Sequence, residues 1–248
     1  MDIFPRPVIL SEAKNLNGDG LVLSAGEAMS GKKAVIFDMD GVIFDSERAV
    51  LQCWREVGER FGLEGVEGVF LRCVGTNKRR TREILFEAWP ALDFDAFDGA
   101  ARSLFLSRYD RGRLPVKPGV RELLEALREA GVPLALASST RGETVRRELG
   151  EAGLLAYFDA VIGGDSVTKS KPDPEIFLTA CAQLGARPED VCVIEDSFNG
   201  VRAAYAGGMH ALMVPDLLPP DAEMRRKAEA IFPSLLELRE YLLPRISD

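Results

Sequence analysis

Lys33-Ala-Val-Ile-Phe-Asp-Met-Asp-Gly41 is the stretch whose reading decides the fold of this chain. The run Lys33-Ala-Val-Ile-Phe37 is apolar up to the point where it ends in Asp38. A run of that kind reads as a central strand of a parallel sheet, covered on both faces. Similar runs stand at Val132-Pro-Leu-Ala-Leu-Ala137, Ala160-Val-Ile162, Val191-Cys-Val-Ile194 and Ala211-Leu-Met-Val214. Amphipathic helices lie between them. Glu122 to Ala130 places Leu123, Leu124 and Leu127 on one face and stops at Gly131. Ile176, Phe177, Ala180 and Leu184 form a second stripe. Strands that alternate with helices imply right-handed crossovers and a doubly wound parallel sheet of the α/β class.

Residues 46–112 break this rhythm. Ser46 is placed to cap a helix in which Ala49, Val50, Cys53, Trp54, Val57 and Phe61 recur at helical spacing. Helical patterns return at Thr81–Ala88 and Phe94–Tyr109, with no convincing strand between them. We read 46–112 as an all-helical cap inserted into a core formed by 32–45 and 113–248, with Gly112 and Pro115 marking a hinge on the return. Residues 1–31 have mixed polarity and no clean periodicity, and read as a loosely attached extension in which Asn17-Gly-Asp-Gly20 is a turn.

The net charge of −8 argues against a nucleic-acid or anionic-membrane partner, because no basic tract is large enough to dominate it. No apolar run approaches the ~20 residues needed to span a bilayer. Cys53, Cys73, Cys181 and Cys192 form no C-x-x-C pair and read as buried, reduced thiols. With no basic and apolar leader at the start, these features point to a cytoplasmic protein, monomeric or weakly dimeric. The single histidine, His210, rules out multi-histidine metal sites and reads as an incidental strand residue. Proton transfer therefore falls mainly to carboxylates.

In an open parallel sheet, ligands bind beyond the carboxyl ends of the strands, so the polar residues after each apolar run converge. These are Asp38 and Asp40; Ser138, Ser139 and Thr140; Glu195 and Asp196; and Lys171 within Ser170-Lys-Pro-Asp173. Crowded carboxylates raise one another's pKa unless a cation joins them. Magnesium, which prefers oxygen ligands, suits the set. Asp38 and Asp196 are the first choice for side-chain ligands, with the Asp40 backbone carbonyl beside them and Glu195 behind. Asp38 is placed to attack phosphorus, and Asp40 to act as general acid and base. Lys171 and Ser138, with Ser139 next to it, are placed to hold the transferring oxygens. Gly41 permits the turn. Each piece alone is ordinary, since an isolated D-x-D is more often a solvated turn. The conjunction, with each piece behind an apolar strand, is not.

Asp38-Met-Asp-Gly-Val-Ile-Phe-Asp-Ser-Glu47, Ser138, Ser170-Lys-Pro-Asp-Pro174 and Val193-Ile-Glu-Asp-Ser-Phe-Asn-Gly200 closely resemble the four motifs of the haloacid dehalogenase-like hydrolases. The subgroup with β-phosphoglucomutase and small sugar-phosphate phosphatases fits best, over about residues 32–243. The resemblance implies a Rossmann-like core, a helical cap and magnesium. It also implies Asp38 as nucleophile, Asp40 as acid and base, Ser138 and Lys171 as phosphate binders, and Asp196 as metal ligand. It makes Asn199 a site-shaping residue. An aspartate at position 40 favours phosphoryl transfer over dehalogenation, because expelling an alkoxide requires an acid.

The implied substrate is a small phosphorylated metabolite such as a sugar phosphate. Arg72 and Lys78-Arg-Arg-Thr-Arg82 make the cap locally basic, and Lys78 or Arg79 is a candidate to bind an anionic group of the substrate. The alternatives are a phosphomutase and, from another class, an inactive binding module on the same scaffold. The β-phosphoglucomutases that the chain resembles place a histidine twelve positions after the nucleophile, where this chain has Val50. Hydrolysis is therefore the preferred expectation.

Overall fold

The computed structural model describes residues 34–76 and 78–246. The 1–31 extension with its Asn17–Gly20 turn, and Lys33 at the head of the first strand, lie outside the described residues. In chain order the elements are β1 (Ala34–Phe37), α1 (Ser46–Arg60), α2 (Val66–Cys73), α3 (Lys78–Ala88), α4 (Phe94–Tyr109), α5 (Val120–Glu129), β2 (Leu134–Ala137) and α6 (Gly142–Glu151). They continue as β3 (Ala160–Ile162), α7 (Glu175–Leu184), β4 (Val191–Glu195), α8 (Phe198–Ala206), β5 (His210–Met213), α9 (Met224–Lys227), β6 (Ala230–Ile231) and α10 (Leu235–Ile246). The strands form one sheet in the order β3-β2-β1-β4-β5-β6, and every pairing is parallel. The expected α/β doubly wound core is present.

Alternation along the strands explains why both faces had to be covered. Val35, Phe37, Leu134, Leu136, Cys192 and Ile194 enter one hydrophobic cluster, shared with α5, α6 and α10. Ala34, Ile36, Ala135, Ala137, Val191 and Val193 enter the other, shared with α7 and α8. β1, β2 and β4 are buried along their whole length, which is why their sequences read as unbroken apolar runs.

Helices α1–α4 follow β1 before the chain returns to the sheet. They share a separate cluster around Val57, Ile84, Leu85, Phe94 and Phe97. Trp54 meets Phe70 and Phe97 edge-on, at centroid distances of 5.1 and 5.2 Å. The connections in and out of this helical unit are bonded to each other. The Asp45 amide donates to the Pro115 carbonyl, and the Lys117 amide donates to that of Ile43, each at 2.9 Å.

Several details differ from expectation. α2 was not anticipated, because Gly62, Gly65 and Gly68 break the helical pattern around it. β6 is only Ala230–Ile231, too short for any periodicity. Asp45 rather than Ser46 is the residue before α1, and no side chain caps that helix. Ser46 is its first residue instead. All four cysteines are free and buried. No helix among the described residues is long and apolar enough to cross a membrane.

Leu124 is fully buried between α5 and the sheet, whereas Leu106 on α4 is 43% exposed. Leu124→Ala should lower the unfolding free energy by about 2–5 kcal/mol. Leu106→Ala should change it by less than about 0.5 kcal/mol. Chemical denaturation compares the two, and equal losses would mean that α5 does not seat as described.

Candidate active site

The strand order reverses between β1 and β4, which lie side by side with Phe37 registered against Ile194. Asp38, just past β1, and Glu195, the last residue of β4, therefore stand side by side at the carboxyl edge of the sheet, where the crevice of a doubly wound sheet forms. The Asp38 amide donates to the Ile194 carbonyl at 3.0 Å, fixing the nucleophile candidate to the neighbouring strand. Asp38, Glu195 and Asp196 each offer a carboxylate oxygen, and these oxygens lie within 4.8 Å of one another.

Lys171 enters this group from the loop after β3. Its Nζ is 2.5 Å from Asp38 Oδ1, 2.7 Å from Glu195 Oε1 and 3.3 Å from the Ala137 carbonyl. The ring of Phe177 lies under the ammonium, 4.6 Å from Nζ to its centroid. Glu195 is wholly buried. Its Oε2 accepts from the amides of Asp196 and Ser197 and from the Ser197 hydroxyl at 2.8–2.9 Å. Glu195 thus anchors the turn into α8 while it shares Lys171 with Asp38.

Two glycines make this crowding possible. Gly41 has φ +76°, and a Cβ there would fall 2.2 Å from Asp196 Oδ2. A Cβ on Gly200 would fall 1.7 Å from Glu195 Oε1. Asp196 therefore closes over the turn after β1, and the start of α8 closes over Glu195.

Burial and the neighbouring acids raise the carboxyl pKa values, as crowding predicts. Burial pushes Asp38 up to about 8, with Lys171 opposing and Glu195 and Asp40 adding. Burial, then Glu195 and Asp38, lift Asp196 well above the carboxylate range. Asp40 is raised by burial against the opposing hydroxyls of Ser46 and Thr140. Burial penalises the Lys171 ammonium, yet Asp38 and Glu195 outweigh it and hold its pKa above the ordinary value. Among the described residues no cation is paired with Asp196, so a divalent ion bound by oxygens would meet an uncompensated carboxylate there.

Asp40 borders the same cleft but is not one of the three grouped carboxylates. Thr140 Oγ1 donates to Asp40 Oδ2 at 3.3 Å. Ser138 is buried, and its Oγ accepts from the Thr140 amide at 3.0 Å, which leaves the hydroxyl proton to donate elsewhere. Ser139 borders a cleft of about 700 Å³ together with Asp38, Asp40, Lys171 and Asp196. A second cavity of about 410 Å³ opens on the far side of Asp40, against α1 and α2.

Of the basic cap residues Arg80 borders the larger cleft, whereas Lys78 and Arg79 line neither space. Lys78 pairs with Asp98 at 3.0 Å and Arg79 with Glu83 at 3.4 Å, and their side chains are 74% and 90% exposed. Asn199 borders the cleft, and its Nδ2 donates to the Gly75 carbonyl at 3.0 Å, tying α8 to the α2–α3 turn. Sequence reasoning left Glu47, Thr140, Glu148 and Phe177 without roles. Thr140 and Glu47 stood within stretches already singled out, and Phe177 was read only as core. Glu148 carries no local signal at all.

A family model described as haloacid dehalogenase-like hydrolase matches residues 32–208. A phosphorylated carbohydrates phosphatase of Thermotoga maritima is 38% identical over 181 residues, covering 73% of this chain and 83% of that protein. A beta-phosphoglucomutase of Bacillus subtilis (strain 168) is 30% identical over 191 residues, covering 73% and 83%. The crystal structure of a HAD family hydrolase from Deinococcus radiodurans R1, with bound phosphate and sodium, superposes with a TM-score of 0.76 at 29% identity, covering 87% of this chain and 97% of that one.

The raised carboxyl values carry a consequence for stability. An aspartate titrates near about 3.9 in the unfolded chain, whereas Asp38 does so at about 8 in the fold. Between these values the folded protein holds a proton that unfolding releases, so stability falls as pH rises. Chelated protein should therefore melt lower at about pH 8 than at about pH 6. A divalent cation should restore more at the higher pH. Asp38→Asn, which cannot ionise, should flatten the profile. A chelated protein that melts higher at the upper pH would contradict this account.

Proposed function

The chain belongs to the haloacid dehalogenase-like hydrolases, and from that premise we propose that it is a magnesium-dependent phosphatase. Its substrate on this reading is a small phosphorylated metabolite, such as a sugar phosphate. The observation that carries the reading is Asp38 at the end of β1, bonded to Lys171 at 2.5 Å and grouped with Asp196. Asp40 stands two residues on and borders the same cleft.

Asp38 attacks phosphorus, forming an Asp38 O–P bond as the bond from phosphorus to the leaving oxygen breaks. Asp40 donates its proton to that oxygen, and its raised pKa keeps the proton available. Asp40, now a carboxylate, then takes a proton from water. The water oxygen bonds phosphorus, and the Asp38 carboxylate departs. Lys171 stays beside Asp38 throughout and, with the Ser138 hydroxyl and the backbone of Ser139, holds the non-bridging oxygens. Asp38, Asp196 and the Asp40 carbonyl would hold magnesium, with Glu195 fixing the turn behind them. When bound, the ion would supply positive charge to the phosphoryl oxygens and relieve the repulsion among the acids.

A phosphomutase is the second reading, kept because of the likeness to a beta-phosphoglucomutase. Hydrolysis is favoured because Val50 lines the cavity beyond Asp40 and brings no imidazole there. His210 stands at the opposite end of the sheet, at the start of β5, with Nε2 2.9 Å from the Glu189 carbonyl and Nδ1 against Glu229. Buried free cysteines fit a reducing compartment such as the cytoplasm.

With an aryl phosphate and magnesium, wild type should release phosphate steadily and Asp38→Asn should not. Asp40→Asn should slow release from an alkyl phosphate by about 10²–10⁴-fold. Equal inactivity of wild type and Asp38→Asn across many esters would sink the proposal. Isomer interconversion that depends on a bisphosphate primer would move it to the mutase reading.

A further inference from the structure

Asp40 borders the 410 Å³ cavity as well as the phosphate-side cleft, so this cavity has room for the leaving group of the proposed reaction. Trp54, Phe70 and Phe105 supply broad apolar faces. Glu47 and Glu148 supply carboxyls, and among the lining residues there is no lysine or arginine. Ser46 lines the same cavity, is 7% exposed, and turns its hydroxyl toward Asp40.

We propose that this cavity selects a polyhydroxylated leaving group carrying no negative charge, with Glu148 as a specificity-determining residue and Glu47 and Ser46 completing its polar contacts. The inference rests on the phosphatase reading and deepens it. Aromatic faces suit the C–H faces of a sugar or polyol, while carboxyls and hydroxyls read its O–H groups. A second phosphate or a carboxylate would instead meet the partly ionised carboxyls of Glu47 and Glu148, with no lysine or arginine in the cavity lining to receive it.

The nearby cations do not change this balance. Arg80 borders the phosphate-side cleft, which adjoins this cavity at Asp40, Glu47 and Gly75, and there Glu83 and Glu87 engage it at 3.1 and 3.2 Å. Arg147 Nη2 is 3.5 Å from Glu148 Oε1, but Arg147 stands outside the cavity wall and also pairs with Asp110 and Glu151. The carboxyls of Glu47 and Glu148, lifted by burial and then by Asp40 to about 7, are present both as hydrogen-bond donors and as acceptors near neutrality.

The test uses two three-carbon esters that differ only at the far end, glycerol 3-phosphate and 3-phosphoglycerate. With magnesium, wild type should prefer the glycerol ester in kcat/KM by at least about tenfold. Glu148→Lys should move that ratio toward phosphoglycerate by at least about tenfold, and Glu148→Gln should move it in the same direction by less. Comparable kcat/KM values for the two esters in wild type would overturn the inference, even if neither variant folds. So would an unmoved ratio in folded variants. Calorimetry on Asp38→Asn ranks the same esters without turnover. If wild type releases phosphate from nothing, yet Asp38→Asn binds the glycerol ester more tightly, the hydrolytic reading fails and the charge selection stands. Equal or tighter binding of phosphoglycerate overturns the selection itself.

Discussion

The structure turns on one buried ammonium. Lys171 joins Asp38 and Glu195 through Nζ, with side-chain exposures of 7%, 9% and 0% for the three groups. Gathering charges out of water is expensive, and a buried ion pair is weak evidence for stability as such. Its presence here is better understood through chemistry. The ammonium holds Asp38 in one orientation at the strand end, and it supplies fixed positive charge where a phosphoryl group would develop negative charge. One cation is shared by two acids, so the group remains short of positive charge. Burial and, after it, that deficit raise Asp38 and Asp196, and on the proposed reading a metal and a phosphate would together relieve them.

Position follows from topology. Because β1 and β4 are adjacent and in register, the residues that end them are neighbours although far apart in sequence. Glu195 then converts a strand end into a firm turn by accepting three hydrogen bonds on one oxygen. The absence of a side chain at Gly41 and Gly200 lets the flanking segments close over these acids. Steric allowance and electrostatic demand thus coincide at the same few residues.

Much of this could be read from the chain. Strands buried on both faces, such as Val191–Ile194, announce themselves as apolar runs, and the acids that follow them mark the crevice. Elements with weaker internal patterns were hidden. α2 contains Gly68 and follows Gly65, and α8 begins within a stretch that reads as a loop because it holds Asn199 and Gly200. Side-chain partnerships across elements were the least legible. Within the basic run, Lys78 or Arg79 reads as a candidate contact for an anion, yet Asp98 engages Lys78 and Glu83 engages Arg79 on an exposed helix. Glu148, on α6, reaches the cavity beyond Asp40 only through the packing of α6 against β3, for which nothing in its neighbourhood of sequence gives notice.

The paired connections into and out of the helical unit carry a mechanical implication. Phe44 bridges Val116 on the returning connection and also Asp40 on the loop that bears the acid. Any swing of α1–α4 about those connections must therefore pull on the peptide next to Asp40. On the proposed reading, opening the mouth and re-aiming Asp40 would be one motion rather than two, so access for a departing alcohol and readiness for the next turnover would be geared together by a few backbone bonds.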